Sequence, residues 1–131
     1  MVTQVAQPGE HEAAIQDVIA RYLTAVREWD GPSLRGTFDP NANIAHYYVK
    51  GDAIRTITLD EFVKTIGSLH DKFDNAEEKA SEIEIHIVDH LASVRVRFAF
   101  VMGANTLEGQ DIFNLAYCKG EWKIIHKSYY L

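Results

Sequence analysis

The chain has one cysteine, Cys118, and few basic residues for its length of 131. A single cysteine excludes a disulfide within the chain and a cysteine-based metal cluster. No apolar run approaches the roughly 20 residues that span a bilayer, so no membrane-spanning helix is predicted. Thirteen Lys and Arg stand against 19 Asp and Glu, for a net charge of −6. This balance argues against nucleic-acid binding, which needs a basic face.

The composition is that of an ordinary globular protein, with 47% apolar and 24% charged residues. A chain of this length can bury a core as one domain. We expect residues 1–9 to be a disordered leader and residues 10–131 to form a single domain. The first residues lack the basic segment and apolar run of a signal peptide, so we expect a cytoplasmic protein.

The first half of the domain has helical periodicity. Apolar residues at i, i+3, i+4 spacing over 15–29 predict an amphipathic first helix. Pro32 suits the first position of a short second helix, and residues 42–49 then read as a strand. Thr58, with Glu61 three residues later, predicts a capping box at the start of a third helix.

The second half changes to a period of two. A polar loop is expected over 71–79, followed by alternating apolar and polar residues over 83–87 and 94–102. Two further strands, 106–118 and 122–130, are joined by a Gly-containing turn. This order predicts an α+β fold in which three N-terminal helices pack on a curved, mainly antiparallel sheet.

Three polar side chains, far apart in the sequence, are expected to line one pocket. Tyr22 lies on the apolar stripe of the first helix, His46 in the first strand and Asp111 at the start of an apolar strand. A phenol, an imidazole and a carboxyl group in one apolar pocket can move a proton on a small organic molecule. His126, on the last strand, is a candidate second acid.

The walls of this pocket are predicted to be mostly apolar. The expected ligand-contacting residues are Trp29, Tyr48, Phe62, Ile66, Val96, Phe98, Phe100, Phe113, Ser128 and Tyr130. An apolar cavity with a few converging polar groups is typical of a small-molecule site. We therefore expect a hydrophobic small molecule as the ligand.

Three segments over residues 10–131 resemble the nuclear-transport-factor-2-like (NTF2-like) superfamily, which includes ketosteroid isomerases, scytalone dehydratases and SnoaL-type polyketide cyclases. They are IxxVIARYLTAVREWDGPSLRGTFDPNANI, ASVRVRF and DIFNLAYCKGEWKIIHKSY. The last segment is most similar to the branch labelled putative lumazine-binding. The resemblance implies a cone-shaped fold; a shared fold does not itself imply a shared reaction.

Ketosteroid isomerases carry a Tyr in the first helix, a catalytic Asp on the first strand and a protonated Asp on a late strand. The resemblance places Tyr22, His46 and Asp111 at these positions, so a histidine stands where the isomerases have their base. It implies that Tyr22 and a protonated Asp111 hold an oxyanion while His46 removes a proton. The implied activity is that of a cofactor-free isomerase, dehydratase or cyclase acting on a hydrophobic carbonyl compound.

Each of these residues also has a structural interpretation. Tyr22 fits a core tyrosine with one bonded hydroxyl. A register slip of one residue would turn His46 to solvent. An acid in an apolar strand needs a partner, and for Asp111 this partner is expected among Arg95, Arg97 and Lys127, which would make a buried ion pair.

Two further expectations concern cofactors and partners. His46, His126 and Asp111 make a two-His-one-carboxylate set, but their spacing does not favour a metal site, so neither a metal nor another cofactor is expected. Arg95 and Arg97 alternate with the pocket wall and share the convex face of the sheet with apolar residues, which predicts a homodimer through that face. The alternative to an enzyme is a non-catalytic small-molecule binding protein or a dimeric interaction module.

Overall fold

The computed structural model describes residues 8–131, which form three helices and six strands. The elements are α1 (Pro8–Glu28), α2 (Gly31–Gly36), β1 (Phe38–Tyr48), β2 (Ala53–Thr58), α3 (Leu59–Lys72), β3 (Ala76–Val88), β4 (Leu91–Met102), β5 (Asn105–Cys118) and β6 (Glu121–Tyr130). The predicted α+β class is confirmed. Only α1 and α2 precede the sheet, because α3 lies between β2 and β3.

The six strands form one sheet in the order β2-β1-β6-β5-β4-β3. β1 and β6 pair in parallel, and every other neighbouring pair is antiparallel. The helices pack on one face of this sheet, which we call the inner face; the opposite one is the outer face. Alternation along the strands buries the inner-face side chains, including Ile44, Val94, Val96, Phe113 and Ile124.

The helix starts follow from local hydrogen bonds that the sequence predicts. Asp30 caps α2 by accepting from the backbone N–H of Ser33 at 3.1 Å. The capping box of Thr58 and Glu61 is present at the start of α3. α1 already begins at Pro8, so the leader predicted to run to residue 9 extends two residues too far; residues 1–7 lie outside the described part of the chain.

Two segments predicted as irregular belong to strands. Residues 76–79, expected in a polar loop, open β3 because Ala76 and Glu78 pair with Met102 and Phe100 of β4. The Asp-Pro-Asn segment at 39–41 lies within β1, where the pairing with β6 is irregular. In both segments, pairing with the neighbouring strand overrides the local turn propensity, so the sequence alone does not reveal the strand.

A bulge in β6 changes which residues face inward. Asn114 of β5 pairs with His126 and the next residue, Leu115, pairs with Ile124, so Ile125 is an extra residue. Up to Ile124 the even-numbered residues of β6 face the core. After the bulge the odd-numbered residues, Lys127 and Tyr129, face it instead.

Candidate functional site

The inner face and the helices enclose a cavity of about 90 Å³. Its walls are Tyr22, Phe62, Thr65, Ile66, Leu69, Glu78, Phe98, Phe100, Met102, Lys127, Tyr129 and Leu131. This volume is below the roughly 300–1,000 Å³ of pockets that enclose drug-sized ligands. The cavity therefore suits a small compound.

Tyr22 and Glu78 are joined by a buried hydrogen bond in the cavity wall. The Tyr22 hydroxyl donates to Glu78 Oε1 at 3.1 Å. Burial raises the pKa of Glu78 well above its usual range, and the neighbouring carboxylate of Asp111 raises it further. Burial, followed by the negative charges of Glu78 and Asp111, also raises the pKa of Tyr22. Both shifts favour the protonated forms of these groups.

Lys127 and Asp111 form a buried ion pair beside them. Lys127 Nζ lies 3.1 Å from Asp111 Oδ1, and both side chains are almost completely buried. The ammonium lies off the direction needed for a hydrogen bond to that carboxylate. The interpretation of Asp111 as one half of an ion pair with Lys127 is thus confirmed.

Aromatic rings surround the ammonium of Lys127. Its Nζ is 3.8 Å from the ring centre of Tyr129, 5.0 Å from that of Phe62 and between 5.8 and 5.9 Å from those of Phe113 and Tyr22. Such rings attract a cation through their negative faces. They hold the charge in an otherwise apolar wall.

Together these four groups give the cavity a polar floor. Asp111 is paired with the Lys127 ammonium, and burial together with Asp111 raises the pKa of Glu78 strongly. The Tyr22 O–H is already donated to Glu78, and Glu78 lies within hydrogen-bonding reach of Asp111, so Lys127 is the group with N–H donors left for a bound molecule. A bound molecule can satisfy this floor with an acceptor oxygen.

His46 faces inward but does not line the cavity. Its ring stacks on Tyr129, with centroids 4.4 Å apart, and Tyr129 is the residue that lines the wall. Burial lowers the pKa of His46, and the charges of Lys127 and Arg55 lower it further. The imidazole therefore stays neutral near pH 7.

The prediction that His126, Ser128 and Tyr130 face the pocket is wrong. The bulge at Ile125 turns all three to the outer face, where His126 bonds the Asn43 side chain. Ser128 and Tyr130 line a shallow outer-face groove.

Six of the other predicted wall residues lie in the cavity wall or directly beside it. Phe62, Ile66, Phe98 and Phe100 do line the cavity. Val96 and Phe113 are completely buried in the core beside it.

Trp29 and Tyr48 lie away from the cavity, which corrects their prediction as wall residues. Trp29 follows α1 and stacks on His70 of α3, close to Gly67. Tyr48 is 45% exposed at the end of β1.

Sequence reasoning did not select Glu78, Lys127 or Tyr129 as site residues. Glu78 lies in a run of charged residues that is typical of a loop, and no sequence signal marks its burial. Lys127 was selected only as a possible partner of Asp111. The side chains of Lys127 and Tyr129 face inward because of the bulge at Ile125.

Residues 8–131 bring together no three His, Cys, Asp or Glu side chains that could hold a metal ion. His46, Asp111 and His126 are not brought together, because His126 lies on the outer face. No helix in the described range is long and apolar enough to cross a membrane.

The family model described as "Putative lumazine-binding" matches residues 10–130, almost the whole chain. The chain belongs to this family. Solved structures described as NTF2-like proteins share its fold. Among curated proteins, none matches the chain significantly.

Solved structures of similar fold come from several bacteria. An NTF2-like protein of unknown function from Shewanella baltica OS155 has 22% identity and a TM-score of 0.79, over 95% of this chain and 96% of its own. An NTF2-like protein of unknown function from Silicibacter pomeroyi has 19% identity and a TM-score of 0.76, over 95% of this chain and 98% of its own. A protein from Novosphingobium aromaticivorans, described as a putative scytalone dehydratase, has 18% identity and a TM-score of 0.75, over 91% of this chain and 82% of its own. At these identities the likeness concerns the fold alone.

Proposed function

We propose that this member of the lumazine-binding family binds a small hydrophobic molecule in the inner-face cavity, and that a carbonyl compound is the best-suited class. The observation that carries this proposal is the polar floor of Tyr22, Glu78 and Lys127 beneath apolar walls. A core built for packing alone gains nothing from burying two carboxyl groups and an ammonium, which are costly to desolvate.

The test is ligand binding with and without a blocked cavity. A library of small ketones, aldehydes and hydrocarbons would be screened by NMR for shifts of the wall residues. Leu69→Trp fills the cavity from its wall, whereas Ser68→Trp adds the same indole to an exposed position of α3. Binding that Leu69→Trp abolishes and Ser68→Trp preserves would support the proposal; binding unaffected by Leu69→Trp would contradict it.

The second candidate is a cofactor-free isomerase, dehydratase or cyclase. It is favoured by one observation: the carboxyl group of Glu78 lies in the cavity wall beside Tyr22, and burial raises its pKa, which favours the protonated acid. A positioned acid or base contributes about 10²–10⁴-fold to a rate. Glu78 would then supply the protonated carboxyl group that the resemblance assigns to Asp111.

Proton transfer can be measured without knowing the natural substrate. In D₂O, the hydrogens next to the carbonyl of a bound ketone exchange when an enzyme forms the enol, and NMR follows their loss. Glu78→Gln should lower the exchange rate about 10²-fold or more, because an amide does not transfer a proton. His46→Ala tests the base expected from the sequence: slower exchange with unchanged ligand binding would support that role. Absence of exchange above background would contradict the enzyme candidate, and only the binding proposal would stand.

A homodimer through the outer face remains part of the proposal. Ile54 and Ile112, which are 76% and 47% exposed, lie on this face with Tyr47 and Tyr130. Apolar patches of this kind commonly mark protein–protein contacts. The cytoplasmic location expected from the sequence also stays a prediction.

A further inference from the structure

Lys127 differs from every other lysine of the chain in its surroundings. Among residues 8–131, which contain all of the lysines, only Lys127 is buried, and its side chain lines the cavity. The bulge at Ile125 turns it inward. Lysine amines in apolar pockets are the groups that form Schiff bases with carbonyl compounds. Lys127 can therefore do more for such a ligand than donate a hydrogen bond.

Asp111 is placed to take a proton from this amine. Its Oδ1 atom lies 3.1 Å from Lys127 Nζ, and its side chain is completely buried. An ammonium must lose one proton before the nitrogen lone pair can attack a carbonyl carbon. A carboxylate at this distance is within reach for a direct proton transfer. The ion pair thus holds the nucleophile and its base together in the cavity wall.

We propose that Lys127 forms a protonated Schiff base with a small aliphatic aldehyde bound in the cavity. This inference rests on the proposed function, since it concerns the same cavity and narrows the class of carbonyl compound. The space around the amine favours an aldehyde over a ketone. Rings of Tyr129 and Phe62 lie 3.8 and 5.0 Å from Nζ, and an aldehyde carbon carries a hydrogen where a ketone carries a second carbon group.

The reaction conserves atoms and charge. Asp111 takes one proton from the ammonium, and the nitrogen lone pair forms a bond to the carbonyl carbon while the C=O π electrons move to the oxygen. A proton then passes from the nitrogen to this oxygen, which gives a carbinolamine. Asp111 returns its proton to the hydroxyl, the C–O bond breaks, water leaves, and the nitrogen lone pair forms the C=N bond. An ammonium and an aldehyde thus become a protonated Schiff base and water.

The surroundings of Lys127 suit the product as well as the free ammonium. The protonated Schiff base carries the same single positive charge, so Asp111 remains its counter-ion and the aromatic rings remain around a cation. The pair therefore stays electrically balanced in the buried site. The apolar walls, which include Phe62, Ile66 and Phe98, exclude the water that would hydrolyse the C=N bond.

The probe is butanal labelled with ¹³C at its carbonyl carbon, added to the full-length protein near pH 7. We expect the ¹³C signal to move from the position of a C=O carbon to that of a C=N carbon. Sodium cyanoborohydride then reduces the C=N bond to a stable secondary amine, and mass spectrometry of peptide fragments locates the butyl group. Lys127 should be labelled at least about tenfold faster than any exposed lysine, because the cavity holds the aldehyde beside its amine.

Two pairs of variants test the site. Leu69→Trp fills the cavity and should abolish labelling of Lys127, whereas Ser68→Trp should preserve it. Lys127→Met removes the amine and should abolish the C=N signal. Lys123→Met is its control, since Lys123 belongs to the same strand but does not line the cavity. If Lys127→Met fails to fold, the labelled position in the unmodified protein and its loss in Leu69→Trp decide.

The outcomes distinguish this inference from the proposed function. Butanal that shifts the NMR signals of the wall residues but gives no C=N signal would overturn the Schiff base and keep the cavity as a binding site. Labelling spread over the exposed lysines, and unchanged in Leu69→Trp, would also overturn it. If butanal, ketones and hydrocarbons all fail to bind, both proposals are contradicted.

Discussion

At the scale of single residues, the Lys127–Asp111 pair is the most demanding feature of the molecule. Both side chains are almost wholly withdrawn from water, and their attraction must offset the loss of hydration of two charges. Four aromatic rings close to the ammonium contribute further attraction. Removing one partner leaves the other charge buried and unpaired.

Lys127→Met should therefore lower the free energy of unfolding by about 3–5 kcal/mol. The double variant Lys127→Met/Asp111→Leu removes both charges, and its stability should return to that of the original protein or exceed it by about 1–4 kcal/mol. Urea denaturation of the two variants checks this. A double variant as unstable as Lys127→Met would show that the pair stabilises the fold on balance.

Glu78→Gln should change how stability depends on pH. The folded pKa of Glu78 is raised above its unfolded value of about 4.5, so folding takes up a proton. The stability contributed by this group is full below about pH 4.5 and is lost as pH rises through the folded pKa. Relative to the unmodified protein, the variant should gain stability steadily from pH 4.5 upward, as measured by urea denaturation. A constant difference across pH would contradict a raised pKa.

At the scale of elements, the end of β6 packs closely against Gly109 of β5. A Cβ added to Gly109 of β5 would lie 2.0 Å from the backbone oxygen of Tyr130 and 3.0 Å from the Phe98 ring. Only glycine allows this close approach. This close approach brings Leu131 to the cavity, where it forms part of the wall.

Gly109→Ala should cost about 1–3 kcal/mol or more, because the strand ends must separate to admit the methyl group. Gly36→Ala is the matched control, since an added Cβ at Gly36 has no heavy atom within 4 Å, and it should stay within about 0.5 kcal/mol of the original protein or be slightly more stable. Thermal and urea denaturation measure both. Equal effects of the two substitutions would contradict the close packing at Gly109.

The sequence predicted the elements better than it predicted the site. The capping box of Thr58 and the hairpin strands carry local signals, and these elements form as expected. The inward face of β6 carries no such signal, because the bulge at Ile125 involves neither glycine nor proline. Glu78 could not be found because its burial depends on α1 and β5, which are distant in sequence.

At the scale of the whole molecule, the two faces of the sheet have different surroundings. The inner face is covered by helices, while the outer face leaves Ile54 and Ile112 largely exposed. Arg95 lines the same outer-face groove as these two residues. Its Nη2 atom forms an ion pair with Glu84 Oε1 at 2.7 Å. This mixed surface is the one proposed to pair with a second copy.

Ile112→Lys should convert a dimer into a monomer, because it places a charge in the middle of the outer face. Ile83→Lys is the control: Ile83 is 41% exposed but lies on the inner side of the edge strand β3, where it pairs with Val96. Sedimentation velocity at several protein concentrations measures the mass. Dissociation by both substitutions, or by neither, would contradict the outer-face dimer.

The place of β6 between β1 and β5 has a consequence for synthesis on the ribosome. β6 follows every other strand in the chain, yet it joins β2-β1 to β5-β4-β3. A nascent chain that has emerged only as far as β5 holds two unconnected pieces of sheet, with the edges of β1 and β5 unpaired. Open edges of this kind attract other strands, so this protein must be guarded from aggregation until its last strand leaves the exit tunnel.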